Sequence, residues 1–173
     1  MIHVGLRDAA SLFAARRAPI AALGATAAAV IVIDEISKAV ALHVLPELDA
    51  APTRLLQLGV LHNGDLAWGL SAGAASAAVS ALAALVILGL SFAVCGALAS
   101  HDPGAPGMLG VIVGAGVANA TDALTPPAGV VDWIAVAGPG GIVMNLADVA
   151  ALVGVGLCAR TAYRLMAAIR GRV

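Results

Sequence analysis

Four long apolar runs constrain this chain most: Pro19 to about Leu45, Leu66 to Ala99, Met108 to about Leu124, and about Ile142 to Ala168. A helix needs roughly 20 residues to cross a bilayer core at 1.5 Å per residue, and these runs supply about that length or more. Backbone N–H and C=O groups must find partners inside lipid, which strongly favours helices there. The second run exceeds one simple span, so it divides into a lead-in segment around Ala67–Gly73 and a helix at about Ala74–Ala99. The expected fold is an all-α membrane protein, one domain over residues 1–173. Its spans are expected at about 19–45, 74–99, 108–124 and 142–168.

Composition agrees with that reading. The chain is 61% apolar with a mean hydropathy of +1.01, and only 11% of its residues are charged, which excludes an ordinary soluble domain. Alanine and glycine dominate, as in helices that approach closely within a membrane. Cys95 and Cys158 each lie inside an apolar segment with no CxxC spacing or histidine cluster. They read as buried small hydrophobes, with no disulfide and no metal site expected.

The net charge of −1 conceals a polarised distribution. Seven of the nine basic residues lie near the ends: Arg7, Arg16, Arg17, Arg160, Arg164, Arg170 and Arg172. The positive-inside rule then places both termini in the cytoplasm and requires an even number of spans. Because these residues flank apolar runs, they read as membrane-orienting charges and not as a nucleic-acid surface. The N-terminal region has the look of a secretory signal. However, apolar character resumes past Lys38 and no persuasive cleavage site follows, so the segment reads as a retained helix.

Between the spans, residues 1–19 read as a short cytoplasmic lead and residues 101–107 as a tight cytoplasmic turn rich in Pro and Gly. The outer loops fall at about 46–73 and 125–141. Residues 54–62 partly alternate apolar with polar, so the first outer loop can hold a small sheet or a surface-lying segment.

Polar residues inside such a chain need a reason, since a carboxylate at a helix centre costs roughly 2.5–3.5 kcal/mol on insertion scales. Five clusters stand out, all near the outer ends of the expected helices. Asp34 and Lys38, at i,i+4, can neutralise each other or reach neighbouring helices. His62-Asn63-Gly64-Asp65 with Trp68 carries a turn signal and an interfacial aromatic. Asn119 and Asp122 share one side of the third helix, which should therefore face the bundle interior. Val131-Asp132-Trp133 and Asn145-Leu146-Ala147-Asp148 complete the set. With a fourth helix starting near Ile142, Asp148 is expected about two turns in, roughly 9 Å from the helix start. Asp132 and Asp148 thus flank a Pro/Gly-broken connection at one membrane face, an arrangement that suggests shared acid–base chemistry of an aspartyl peptidase.

In this order, Asp-x-x-x-Lys, the Asn63 segment, Asn-x-x-Asp, Val-Asp-Trp-Ile and Asn-x-Ala-Asp resemble lipoprotein signal peptidase (signal peptidase II) from about residue 31 to 155. The resemblance implies that Asp132 and Asp148 form the catalytic pair. It also implies that Asn63, Asn119, Asp122, Asn145 and Ala147 support the site or substrate, and that Asp34 and Lys38 are largely structural. The implied substrate is a prolipoprotein carrying a diacylglyceryl-modified Cys, cut immediately before that Cys at the outer edge of the bacterial inner membrane. No cofactor is implied, and the expected protein is a monomer whose other partner is the lipid bilayer. The chain departs from the family pattern at Ala123 (usually Arg), Ala118 (usually Gly) and Met144 (usually Phe). The segment between Asn119 and Asp132 also looks one residue longer, with Pro126-Pro127. Two rival readings follow: a catalytically impaired relative that binds lipoprotein precursors or another membrane protein, and a small proton-coupled transporter using Asp122, Asp132 and Asp148 as a relay.

Overall fold

The computed structural model describes residues 6–48, 52, 54–64, 75–125, 129–137 and 141–170. The elements run α1 (Leu6–Val44), β1 (Leu56–Asn63), α2 (Ser76–Ala99), α3 (Ala105–Leu124), β2 (Val130–Val136), β3 (Ile142–Met144) and α4 (Leu146–Arg170). Four helical segments are long and apolar enough to cross a membrane: Arg17–Val44, Ser76–Ala99, Ala105–Leu124 and Leu146–Ala167.

The helix limits differ from expectation in physically explicable ways. Helix α1 starts at Leu6 and continues through Pro19, so the expected lead is helical. Its Ala- and Arg-rich turns favour helix strongly enough that one lost backbone bond does not end it. Helix α3 begins at Ala105 with Pro106 in its first turn, where a missing N–H has no intrahelical partner to lose. Helix α4 begins at Leu146 and not at Ile142, because Ile142–Met144 pairs as β3 with Val136–Ile134 of β2. The lead-in segment Ala67–Gly73, together with Asp65, Trp68 and Pro126-Pro127, lies outside the described residues.

Helix α3 is the centre of the bundle. It packs against the other three helices and is the most deeply buried of the four. Small residues make that possible. A β-carbon on Gly110 would fall 2.4 Å from the Leu23 carbonyl of α1, and one on Gly114 would fall 2.6 Å from the Ala27 carbonyl. Ile112 reaches α4 at Gly154 in the same way. Dispersion between closely spaced backbones holds such helices together in lipid, where water expulsion contributes little. These contacts run α1 and α3 parallel, while the packing of Ala84 beside Gly116 runs α2 antiparallel to them. Outward, Leu82, Leu85, Leu90 and Phe92 of α2 and Leu152 and Val155 of α4 are exposed, an apolar belt suited to acyl chains.

The strands form one antiparallel sheet in the order β1-β2-β3. The alternating stretch expected at 54–62 is largely β1. Its register places Asn63 opposite Val130 and Leu61 opposite Asp132, with a bulge between Leu58 and Leu61. Gly129 launches β2 at φ +139°, where a β-carbon would sit 3.3 Å from the Asn63 carbonyl. Glycine alone adopts that conformation readily.

The far end of the bundle is tied separately. Asp102, in the α2–α3 turn, accepts bonds from the Thr161 hydroxyl (2.8 Å), the Gly104 N–H (3.0 Å) and, at 3.5 Å, Arg164. The Thr161 hydroxyl and the Gly104 N–H hold its carboxyl below the usual carboxylate range. Cys95 is buried in α2 and Cys158 half-buried in α4.

Candidate active site

Site construction starts at the N-terminus of α4. The first N–H groups of any helix lack intrahelical partners, and here three of the chain's side chains satisfy them. Asn145, at the N-cap, accepts the Asp148 N–H through its Oδ1 at 2.9 Å, and Asp148 accepts the Asn145 N–H at 3.1 Å. This is a reciprocal capping box built from Asn and Asp. The Ala147 N–H is taken by Asp34 of α1 at 2.8 Å. Asp148 therefore lies in the first turn of α4, not two turns in; the sequence reading missed the Asn-x-x-Asp cap signal that precedes the apolar run.

The remaining amide of Asn145 turns toward β2. Its Nδ2 donates to Asp132 Oδ1 at 2.8 Å and to Asn119 Oδ1 at 3.0 Å, with a longer contact to the Val131 carbonyl at 3.4 Å. Asn63 of β1 donates to the other oxygen of Asp132 at 3.1 Å. Asn119 of α3 donates to Asp148 Oδ1 at 2.8 Å. The two carboxylates expected to meet are thus bridged by one buried asparagine, Asp132 through its side-chain amide and Asp148 through its backbone N–H. Strand alternation sends Trp133 to the other face of β2, where it lines an apolar groove with Val40, Ala41, Val44, Leu45 and Leu58.

Beneath this layer, Lys38 joins three groups from two helices: Asp34 Oδ2 at 2.5 Å, Asp122 Oδ2 at 2.8 Å and Asn119 Oδ1 at 3.3 Å. Asp34 and Lys38 are almost wholly buried. Removing either partner of such a buried pair leaves an uncompensated charge, so the two hold α1 against α3 and α4. Asp122 also accepts the Val131 N–H at 3.2 Å, which ties the start of β2 to the end of α3. Every residue expected at the site therefore belongs to one connected network. Asn63, Asn119, Asp122, Asp132, Asn145 and Asp148 contribute side chains, and Ala147 contributes its backbone N–H and its fully buried methyl group. Ala118 is equally buried and packs with Ala115 and Ala147, so the extra methyl relative to glycine is accommodated in the core.

Asp132 is 2% exposed, and burial together with the nearby Asp148 charge raises its pKa to about 7, outweighing the two amide donors that favour its ionised form. A carboxyl that keeps its proton near neutrality beside a second carboxylate can share one proton between them, the state needed for paired acid and base work. Among the described residues no group of His, Cys, Asp and Glu is arranged to hold a metal ion. His101 lies in the α2–α3 turn and caps the Ala97 carbonyl, while His62 is exposed on β1 and outside the network.

Comparison with known proteins gives a consistent result. The family profile described as signal peptidase (SPase) II matches residues 26–164. No curated protein matches the chain. A bacterial membrane enzyme solved at 2.3 Å by the in meso method is similar in fold, with a TM-score of 0.70 and 19% identity over 84% of this chain and 89% of that one. A second bacterial membrane enzyme, solved by the same method at 1.9 Å, gives a TM-score of 0.66 and 19% identity over 81% and 91% of the two chains.

Proposed function

The chain belongs to the signal peptidase II family, and from that premise we propose that it is an intramembrane aspartyl endopeptidase acting on diacylglyceryl-modified bacterial prolipoproteins. It cuts the peptide bond before the lipidated cysteine, with Asp132 and Asp148 as the catalytic pair. The single observation that carries this reading is Asn145, which donates its side-chain amide to the Asp132 carboxylate and its backbone N–H to the Asp148 carboxylate, holding both in one polar layer.

Asp132, raised to about 7, holds the shared proton and polarises the scissile carbonyl. Asp148, as the general base, takes a proton from a water as that water attacks the carbonyl carbon. The tetrahedral intermediate then collapses, the C–N bond breaks, and a proton from the pair passes to the departing amine of the lipidated cysteine. The signal peptide leaves with a new carboxylate. The lipid anchor explains why the site lies at a bundle end: a substrate embedded by its acyl chains presents its cleavage bond near the membrane surface. The basic residues Arg160, Arg164 and Arg170 occupy the C-terminal part of α4, away from the site, which supports a cytoplasmic position for that end and an extracytoplasmic one for the aspartates.

A proton relay draws no support from this geometry. Asp34, Asp122, Asp132 and Asp148 gather at one end, and Asp102 at the other is tied to Thr161 and Arg164. Thr161 lies 15 residues beyond Leu146, roughly 22 Å along α4.

Purified protein incubated with a fluorescent diacylglyceryl lipopeptide tests the proposal. Cleavage before the modified Cys is expected in the wild type, with loss in both Asp132→Asn and Asp148→Asn. A folded wild type that binds the lipopeptide without cutting it would instead identify a catalytically impaired relative.

A further inference from the structure

We propose that Lys38 is a positioning residue: its ammonium fixes which end of the Asn119 amide faces Asp148. An asparagine amide has two ends of nearly equal shape and opposite hydrogen-bonding character. Which end points where is decided only by its neighbours. Asn145 has its Oδ1 fixed by the Asp148 backbone N–H, a donor that cannot turn away without unwinding the first turn of α4. Asn119 has no such backbone partner. Its Oδ1 receives Lys38 Nζ at 3.3 Å and Asn145 Nδ2 at 3.0 Å, and its Nδ2 is left to donate to Asp148 at 2.8 Å.

Lysine carries donors only, so the atom it faces must be the amide oxygen. The ammonium is itself anchored from two sides, by Asp34 of α1 and Asp122 of α3, and the lysine side chain is 3% exposed. The cation therefore does more than neutralise two carboxylates. Together with Asn145 Nδ2, it selects the state of Asn119 that offers an N–H to the Asp148 carboxylate. With the amide reversed, an oxygen would face the Asp148 carboxylate, and the 2.8 Å bond would give way to two acceptors in contact.

Other charged groups belong to the network around Lys38. Asp34 and Glu35 approach from α1, Asp122 from α3 and Asp132 from β2, while His62 of β1 is exposed. Among the described residues α2 and β3 present no charged group. Lys38 is the one described cation bonded within this acidic set.

The inference rests on the peptidase reading for its kinetic test and is independent of it for its spectroscopic one. Lys38→Met alone leaves one buried and one half-buried carboxylate without their cation, so the working variant is Lys38→Met/Asp122→Asn, which removes one charge of each sign. Its kcat is expected to fall at least about tenfold, on the scale of one charge-assisted hydrogen bond, with KM little changed. The acid limb of its pH–kcat profile is expected to move to higher pH. Lys38→Arg, which also presents donors only, is expected to restore the wild-type limb. In Asn119→Ala, adding Lys38→Met/Asp122→Asn is expected to produce no further movement.

Nuclear magnetic resonance of asparagine-labelled protein, with the Asn119 side-chain signals assigned by their absence in Asn119→Ala, reads the same effect without turnover. Those signals are expected to move toward free-amide values in the double variant and to hold in Asp122→Asn and Lys38→Arg. Unchanged Asn119 signals and an unchanged limb in the double variant would overturn the proposal. Failure of the wild type to cut the lipopeptide would overturn the peptidase reading, and the amide signals would still decide the role of Lys38.

Discussion

Asn145 and Asp148 cap each other: the backbone N–H of each is bound by the side chain of the other, at 3.1 and 2.9 Å. The same two residues begin α4 and furnish the candidate site, so one local motif orients a helix and a carboxylate together. Helix start and site geometry are therefore coupled, and variants of the cap separate the two roles.

Asn145→Ala removes the N-cap and both site bonds, so it is expected to lower stability by about 1 kcal/mol. Its cleavage rate should fall roughly 10- to 100-fold through loss of the amide donor to Asp132. Asn145→Ser keeps a capping oxygen but is too short to reach Asp132. Thermal unfolding in detergent should show most of the stability recovered in the serine variant, while the lipopeptide assay shows activity as low as in the alanine one. Equal recovery of both would separate Asn145 from the chemistry.

Asp132 sets the expected pH dependence. Its folded-state pKa, about 7, lies above the ordinary 3.8, so the folded protein binds this proton more tightly than the unfolded chain does. The stability it contributes is fully present below about pH 4 and is lost as pH rises through about 7. Activity should fall over the same upper range, because the general acid loses its proton. The wild-type melting temperature is expected to drop between pH 5 and pH 8 by more than that of Asp132→Asn. A wild-type rate that keeps rising past pH 8 would contradict the assignment of the proton to Asp132.

Asp34 supports α4 from a distance in the chain. Asp34→Ala leaves the Ala147 N–H unbonded and Lys38 short of one of its two carboxylates, and a broken buried pair typically costs about 3–5 kcal/mol. The variant is expected to unfold at a markedly lower temperature in detergent, with Asp34→Asn between it and the wild type.

Close packing of α1 on α3 predicts a glycine contrast. Gly114→Ala places a methyl group 2.6 Å from the Ala27 carbonyl and 2.8 Å from Val30 Cβ, so α1 must shift, at an expected cost of about 1–3 kcal/mol. Gly89→Ala on the lipid-facing side of α2 meets nothing within 4 Å and is expected to be neutral or stabilising. Because Lys38 rides on α1 and Asn119 on α3, Gly114→Ala should also depress cleavage, which Gly89→Ala should not.

The sequence by itself determined the four helices and the identity of the polar residues. Apolar runs of this length leave few alternatives in lipid, and Asp34, Lys38, Asn119, Asp122, Asp132, Asn145 and Asp148 stand out against alanine and glycine because burying them unpaired is costly. The small sheet was partly legible in the alternation of residues 54–62. Limits were less so. Ile142–Met144 carries the same apolar signal whether it continues a helix or pairs as a strand, and only the neighbouring β2 backbone decided for the strand. The tertiary structure alone decided how the polar residues divide their bonds. Asp34 reaches Ala147 across 113 positions and Lys38 reaches Asn119 across 81, and no local period encodes partners so distant. A hydrogen bond depends on where two atoms end up, and that depends on the glycine contacts that set how near α1 lies to α3.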